Sequence, residues 1–117
     1  MRMVLQEILD RVPGALGAAV VGIDGIVVEK AVATRDLNID VAAAEGINVV
    51  KRAVASSRED GAEPLEEMTI STRARCTILR VIGSDYYLCL VTGPEAIPGQ
   101  ARFEAWKAGL QLRQAII

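Results

Sequence analysis

The 117-residue chain is predicted to be an α+β protein with the element order α-β-β-α-β-β-β-α. Three features carry this prediction. The N-terminus has apolar residues at helical spacing, an Asp24-Gly25 reversal separates two runs rich in valine and isoleucine, and two later runs are almost continuously apolar. The length suits one domain over residues 1–117.

The N-terminal segment is predicted to be a helix followed by a β-hairpin. Its apolar side chains recur at helical spacing: Val4, Leu5, Ile8, Leu9 and Val12. Pro13-Gly14 then ends the helix. Asp24-Gly25 joins the predicted strands Ala18–Ile23 and Ile26–Val32, and it suits a two-residue type I′ turn in which both residues adopt positive φ.

A second, longer helix is predicted from about Asp40 to Arg58. Asp40 or Asn38 is suited to cap its N-terminus, and Gly61 lies where a C-terminal stop is expected.

Three strands, a loop and a last helix complete the prediction: Leu65–Thr72, Arg75–Ile82, Tyr86–Thr92, the loop Gly93–Gly99 and the helix Gln100–Ile116. The second and third of these strands are apolar on both faces, which is typical of inner strands. Phe103, Trp106 and Leu110 share one side of the last helix, and we expect Trp106 to pack in the core.

Composition excludes several classes of function. The net charge is −2 and the basic residues are scattered, so no concentrated basic footprint for nucleic acid is present; the nearest is Arg73, Arg75 and Arg80. We see no targeting segment and no membrane span. Cys76 and Cys89 lack metal-ligand spacing. The strands that carry them are expected to pair with an offset, which disfavours a disulfide, so we expect two free thiols in a reducing cytoplasm.

Residues for independent catalysis are missing from the sequence. The chain has no histidine, so the commonest general base and the imidazole metal ligand are both absent. Gly22–Gly25 joins two strands and is therefore a hairpin rather than a phosphate-binding loop. The carboxylate pairs Glu59-Asp60 and Glu66-Glu67 are expected to be solvated. We predict no catalytic residues, no cofactor and no metal.

The block Val12–Val28, placed behind an amphipathic helix, resembles the opening of the roadblock/LC7 domain family, and the element order extends the resemblance to the whole chain. The resemblance implies a five-stranded antiparallel sheet with the middle helix on one face and the terminal helices on the other. Profilin-like and longin-like domains are the structural alternatives. The sequence departs from the family at Gly22, where an acidic residue is common, and at Pro98, which interrupts the loop before the last helix.

The second helix has a wider apolar face than one sheet contact requires. One stripe carries mostly large side chains: Ala43, Ile47, Val50 and Val54. A neighbouring stripe carries smaller ones: Ala42, Gly46, Val49 and Ala53. Packing of both stripes inside one domain is the plain alternative. The family resemblance instead implies that the small stripe meets the same helix of a second copy, in which case Gly46→Leu disrupts dimerisation more than Asn48→Leu.

The third predicted strand, Leu65–Thr72, would leave unpaired backbone groups at a sheet edge and contains neither proline nor lysine. The predicted homodimer interface combines the small stripe with this strand: Ala42, Gly46, Val49, Ala53, Met68, Ile70 and Thr72.

The resemblance also implies a function through binding. Bacterial and archaeal roadblock domains often act with a small Ras-like GTPase, either by stimulating its hydrolysis or as its scaffold. We therefore expect a cytoplasmic homodimer that regulates such a GTPase. The alternatives are a structural adaptor in a multi-subunit complex and, less favoured, a small-ligand sensor. Arg52, Arg73 and Arg75 are conceivable arginine-finger donors, and none is assigned.

Overall fold

The structure is a computed structural model that describes residues 1–59 and 63–116, apart from the side chains of residues 57–59. Helices and strands follow one another in the predicted order. They are α1 (Arg2–Arg11), β1 (Ala15–Gly22), β2 (Val27–Val32), α2 (Ile39–Glu59), β3 (Glu67–Ser71), β4 (Cys76–Val81), β5 (Tyr86–Thr92) and α3 (Pro98–Ile116).

The strands form one antiparallel sheet in the order β2-β1-β5-β4-β3. Helices α1 and α3 cover one face, and α2 covers the other. Strands β1 and β5 lie in the middle and are almost entirely buried, which their apolar sequences allow because neither face meets water. The predicted fold class is confirmed, and β2 and β3 are the two edges of the sheet.

The junction between α1 and β1 is the predicted Pro-Gly turn. The N–H of Ala15 donates a hydrogen bond to the carbonyl oxygen of Val12 at 3.0 Å. Gly14 has a φ of +89°, and proline followed by a left-handed glycine defines a type II turn.

The hairpin between β1 and β2 differs from the predicted type I′ turn, because no non-glycine residue in the described part of the chain has a positive φ. The N–H of Gly25 donates to the carbonyl of Gly22 at 2.9 Å, and the N–H of Gly22 donates to the carbonyl of Ile26 at 3.0 Å. The turn therefore runs over Ile23 and Asp24, with Gly25 at a φ of +84° after it. A type I turn followed by a left-handed glycine that forms a bulge is, after the two-residue primed turns, among the commonest hairpin connections.

Helix α2 is capped by Asn38, one of the two predicted residues. The Asn38 Oδ1 accepts a hydrogen bond from the N–H of Val41 at 3.2 Å, and Asp40 lies in the first turn, where its carboxylate pairs with Lys30. An acidic residue there favours the helix dipole. The predicted stop at Gly61 and the carboxylate Asp60 lie outside the described residues.

Helix α3 begins at Pro98, so this proline starts the helix instead of interrupting the loop before it. Proline suits the first helical position because its φ is already helical and the N–H it lacks would have no partner there.

The prediction that Trp106 packs in the core is wrong. Phe103, Trp106 and Leu110 are 54%, 43% and 50% exposed. The buried side of α3 is instead built mainly from small residues: Ala101, Ala105, Ala108, Gly109 and Leu112. Small side chains let the helix lie close to a sheet whose own side chains fill the space, and the bulky residues of α3 are left on the outer side.

Both cysteines are free, as predicted. Cys76 lies opposite Thr92 in the sheet register, whereas Cys89 lies opposite Leu79. Cys89 is fully buried, and burial raises the pKa of its thiol to about 12.

Candidate interaction surface

An apolar groove lies between α2 and β3 on one face of the sheet. We call it the α2–β3 groove; its volume is about 240 Å³ and it is lined by Ala42, Glu45, Gly46, Val49, Ile70, Thr72, Arg75 and Thr77. Most of the predicted interface residues therefore meet at one place. Ala53 and Met68 do not line the groove; both are half-buried, and Met68 packs against the core under α2.

The two stripes of α2 divide as expected in part. Ala43, Ile47 and Val50 of the large stripe are fully buried against the sheet. In the small stripe Ala42 is 9% exposed, whereas Val49 is 44% exposed. The small stripe thus runs from the edge of the core to the surface, and Val49 is its accessible apolar side chain.

Gly46 has a role inside its own subunit. A Cβ atom at this position would lie 2.8 Å from Cδ1 and 3.1 Å from Cδ2 of Leu79, which is 1% exposed. The glycine therefore lets α2 approach β4, and a larger residue would strain the core. The Gly46→Leu variant consequently does not isolate the interface, since the same change would disturb the fold.

At alternate residues of β3, the backbone N–H and carbonyl groups point away from β4, toward the free edge of the sheet. The N–H of Thr72 donates to the carbonyl of Arg75 at 2.9 Å, and the carbonyl of Glu66 accepts from the N–H of Val81 at 3.0 Å. Because backbone groups of an antiparallel strand alternate in direction, the N–H and carbonyl groups of Glu67, Thr69 and Ser71 point outward. These residues form a row of donors and acceptors at the sheet edge.

The other edge of the sheet is protected against pairing. In β2 the register shifts so that Glu29 and Val27 lie opposite consecutive residues of β1, which leaves Val28 as a bulge. Lys30 lies on the same strand and pairs with Asp40 of α2. Bulges and lysines discourage edge-to-edge association. Strand β3 pairs with β4 without a register shift and has neither device.

On the face of the sheet opposite the groove, Glu67 connects β3 to α3. Its carboxylate lies 2.9 Å from Nε of Arg102 and 3.4 Å from an Nη atom of Arg80. The side chain of Glu67 is only 13% exposed, so the expectation that Glu66-Glu67 is a solvated pair is wrong for Glu67. Arg80, named above with Arg73 and Arg75 as the nearest approach to a basic patch, is thus paired with Glu67 inside the fold.

Sequence reasoning missed two parts of these surfaces. Glu45, Arg75 and Thr77 line the groove, and their contribution depends on how β4 lies beside α2. The exposed side of α3 was also missed, although the alanines at 101, 105 and 108 already marked a second helical stripe. No group of three or more histidine, cysteine or acidic side chains able to hold a metal occurs within residues 1–59 and 63–116. In the same ranges no helix has both the length and the apolar character needed to cross a membrane.

Comparison with known proteins gives the fold a clear match. The sequence itself matches no protein-family model and no curated protein. A roadblock/LC7 domain from Streptomyces avermitilis superposes with a TM-score of 0.87 at 18% identity, covering 99% of this chain and 97% of that one. The gliding protein MglB from Thermus thermophilus superposes with a TM-score of 0.86 at 20% identity, covering 96% of this chain and 84% of that one.

Profilins, the alternative considered from the sequence, are less similar. Profilin II from Acanthamoeba castellanii superposes with a TM-score of 0.58 at 20% identity, and the match covers 89% of each chain.

Proposed function

Because the chain has the roadblock/LC7 fold, we propose that it is a non-catalytic homodimer that binds a small Ras-like GTPase and regulates it or acts as its effector. The observation that best supports a homodimer is the unprotected edge of β3 beside the apolar α2–β3 groove. The GTPase is what the resemblance to bacterial and archaeal roadblock domains implies. We place the protein in the cytoplasm, where its two free thiols suit a reducing compartment.

The dimer forms by antiparallel pairing of β3 with β3 of a second copy. The outward groups of Glu67, Thr69 and Ser71 then find partners, and the sheet continues across a two-fold axis. The same symmetry brings the two α2 helices together, so that Val49 and Ile70 are covered by their counterparts.

The groove supports a protein contact better than a ligand site. Its volume of about 240 Å³ lies below the roughly 300–1,000 Å³ usual for small-molecule pockets. Apolar residues from a helix and an adjacent edge strand instead form a surface that a second copy can extend.

Stimulation of hydrolysis, where it occurs, acts through the switch loops of the GTPase. Arg75 lines the groove that the second copy covers, which removes it as a donated arginine. Arg52 and Arg73 are exposed. Because reshaping of the switch loops needs no donated arginine, we expect Arg52→Ala and Arg73→Ala to retain stimulation within about tenfold, whereas loss of a donated arginine would cost about 10³–10⁵-fold.

The test is affinity capture of the tagged chain from its own cell lysate with GDP, with a non-hydrolysable GTP analogue and without nucleotide. We expect a small Ras-like GTPase to be enriched by the analogue, and the purified pair then enters a hydrolysis assay. Recovery of the same large assembly in all three conditions would favour the adaptor function. Absence of any GTPase would contradict the proposal.

A further inference from the structure

The outer side of α3 carries an apolar patch that the fold does not use. We define the α3 patch as Phe103, Trp106 and Leu110, which are 54%, 43% and 50% exposed. The chain has one tryptophan and one phenylalanine, and both lie here, whereas the core is aliphatic apart from Tyr87 and Cys89. Their ring centroids are 6.0 Å apart with a tilt of 35°.

The patch is held in shape by its neighbours. The Nζ of Lys107 lies 5.6 Å from the centroid of the Phe103 ring, within the range of a cation–π contact. Lys107 also pairs with Glu104 at 3.1 Å, and Arg102 is fixed by Glu67 at 2.9 Å. The opposite side of α3 packs on the sheet through alanines, so the helix presents its aromatic side rigidly to the solvent.

The spacing of the patch suits a helical partner. Its residues lie at positions i, i+3 and i+7 and form one stripe along about 10 Å of helix. This is the pattern by which one helix packs against another through side chains on one side.

The charge around the patch indicates the charge of the partner's side chains. Arg102, Lys107 and Arg113 are the cations of α3, and its one acidic residue, Glu104, has a side chain only 13% exposed. Arg113 has no ion-pair partner among the described residues. Arg102 already shares Glu67 with Arg80, and Lys107 is paired with Glu104, so the unpaired cation of the helix is Arg113, three residues after Leu110; it favours an acidic residue beside the partner's apolar stripe.

The size of the patch argues against a second folded copy as its occupant. Half-exposed side chains of this size offer on the order of 300 Å², whereas a stable interface buries about 800 Å² on each partner. A single short helix needs far less area.

We propose that the α3 patch docks an acidic amphipathic helix of a partner protein. This site lies on the face of the sheet opposite the α2–β3 groove and does not depend on dimerisation or on GTPase binding. The contact uses the aromatic pair as its apolar anchor, and Arg113 pairs with a partner carboxylate.

The single tryptophan makes the site directly observable. The probe is a synthetic 18-residue helical peptide with leucines on one side and glutamates flanking them; its twin has lysines in place of the glutamates. We expect the acidic peptide to shift the Trp106 emission to shorter wavelength in a saturable manner. The lysine twin should bind at least tenfold more weakly, as measured by anisotropy of the labelled peptide.

Variants of the full chain locate the contact. Leu110→Ser and Arg113→Glu should each weaken the acidic peptide about tenfold or more, whereas Met3→Ser, on an exposed residue of α1, should leave its affinity unchanged. The proposal is overturned if the acidic peptide does not bind, if Leu110→Ser and Arg113→Glu bind it normally, or if the lysine twin binds equally well. It is also overturned if Trp106 emission shifts with protein concentration alone, which indicates a second copy, or only with vesicles of anionic lipid, which indicates a membrane surface.

Discussion

Replacing Thr69 with proline tests whether β3 joins the two copies of the proposed dimer. Thr69 is the middle residue of β3, and its N–H points away from β4. Proline removes that N–H but no hydrogen bond between β3 and β4, and edge strands tolerate proline when its missing N–H faces outward. We therefore expect the Thr69→Pro subunit to fold and its dimer to weaken.

The size of the effect follows from the lost hydrogen bonds. Each subunit donates one N–H from Thr69, so two bonds disappear per dimer, at about 0.5–1.5 kcal/mol each. The dimer loses about 1–3 kcal/mol, which corresponds to a dissociation constant raised about 5- to 150-fold. The proline ring, placed between strands about 4.8 Å apart, adds to this loss.

Sedimentation equilibrium measures the dissociation constant, and circular dichroism reports the fold of the subunit. Thr69→Val keeps the N–H and should dimerise like the unchanged protein. Met68→Pro removes an N–H that points to β4 and should destabilise the subunit itself. A folded Thr69→Pro variant with an unchanged dissociation constant would refute the assignment of β3 as the pairing edge.

Three further variants test other parts of the account. Val49→Asp places a charge in the groove that the proposed dimer covers and should weaken that dimer at least tenfold, while Val41→Asp, on a similarly exposed valine of α2 outside the groove, should not; sedimentation distinguishes them. Gly46→Leu overpacks the contact with Leu79 and should lower the free energy of unfolding by about 1–3 kcal/mol in urea titrations, whereas Val49→Leu should change it by less than about 0.5 kcal/mol. The pKa of Cys89 is raised by burial from 9.0 to about 12, so the unfolded chain loses this proton first as pH rises above 9. Between pH 8 and pH 10 the unchanged protein should therefore lose about 1.4 kcal/mol more stability than Cys89→Ala, and equal losses would contradict the burial of the neutral thiol.

Local chemistry explains why much of the fold was predictable. Pro13-Gly14 and the alternating apolar runs predict a turn and strands, because these residue types restrict the local backbone and can be read directly from the sequence. The hairpin type was not predictable in the same way, because Asp24-Gly25 is compatible both with a type I′ turn and with a type I turn completed by Gly25. The choice depends on how the strands pair.

Packing distances explain what the sequence could not give. Gly46 could have faced either its own sheet or another subunit, and only the 2.8 Å approach to Leu79 assigns it to the sheet. Helix α3 has two apolar stripes on opposite sides, and the sequence favours burial of the one in which Trp106 joins Phe103 and Leu110. The close fit of alanines against the sheet reverses that choice.

Amide hydrogen exchange of the unmodified protein, followed residue by residue by NMR, tests the β3 pairing most directly. In an isolated subunit the amides of Glu67, Thr69 and Ser71 face solvent, whereas in the proposed dimer they are hydrogen-bonded to the second copy. We predict that these three amides are protected at high protein concentration and lose that protection on dilution, while Met68 and Ile70 stay protected throughout. Unprotected exchange at Glu67, Thr69 and Ser71 in a sample shown to be dimeric would contradict the account.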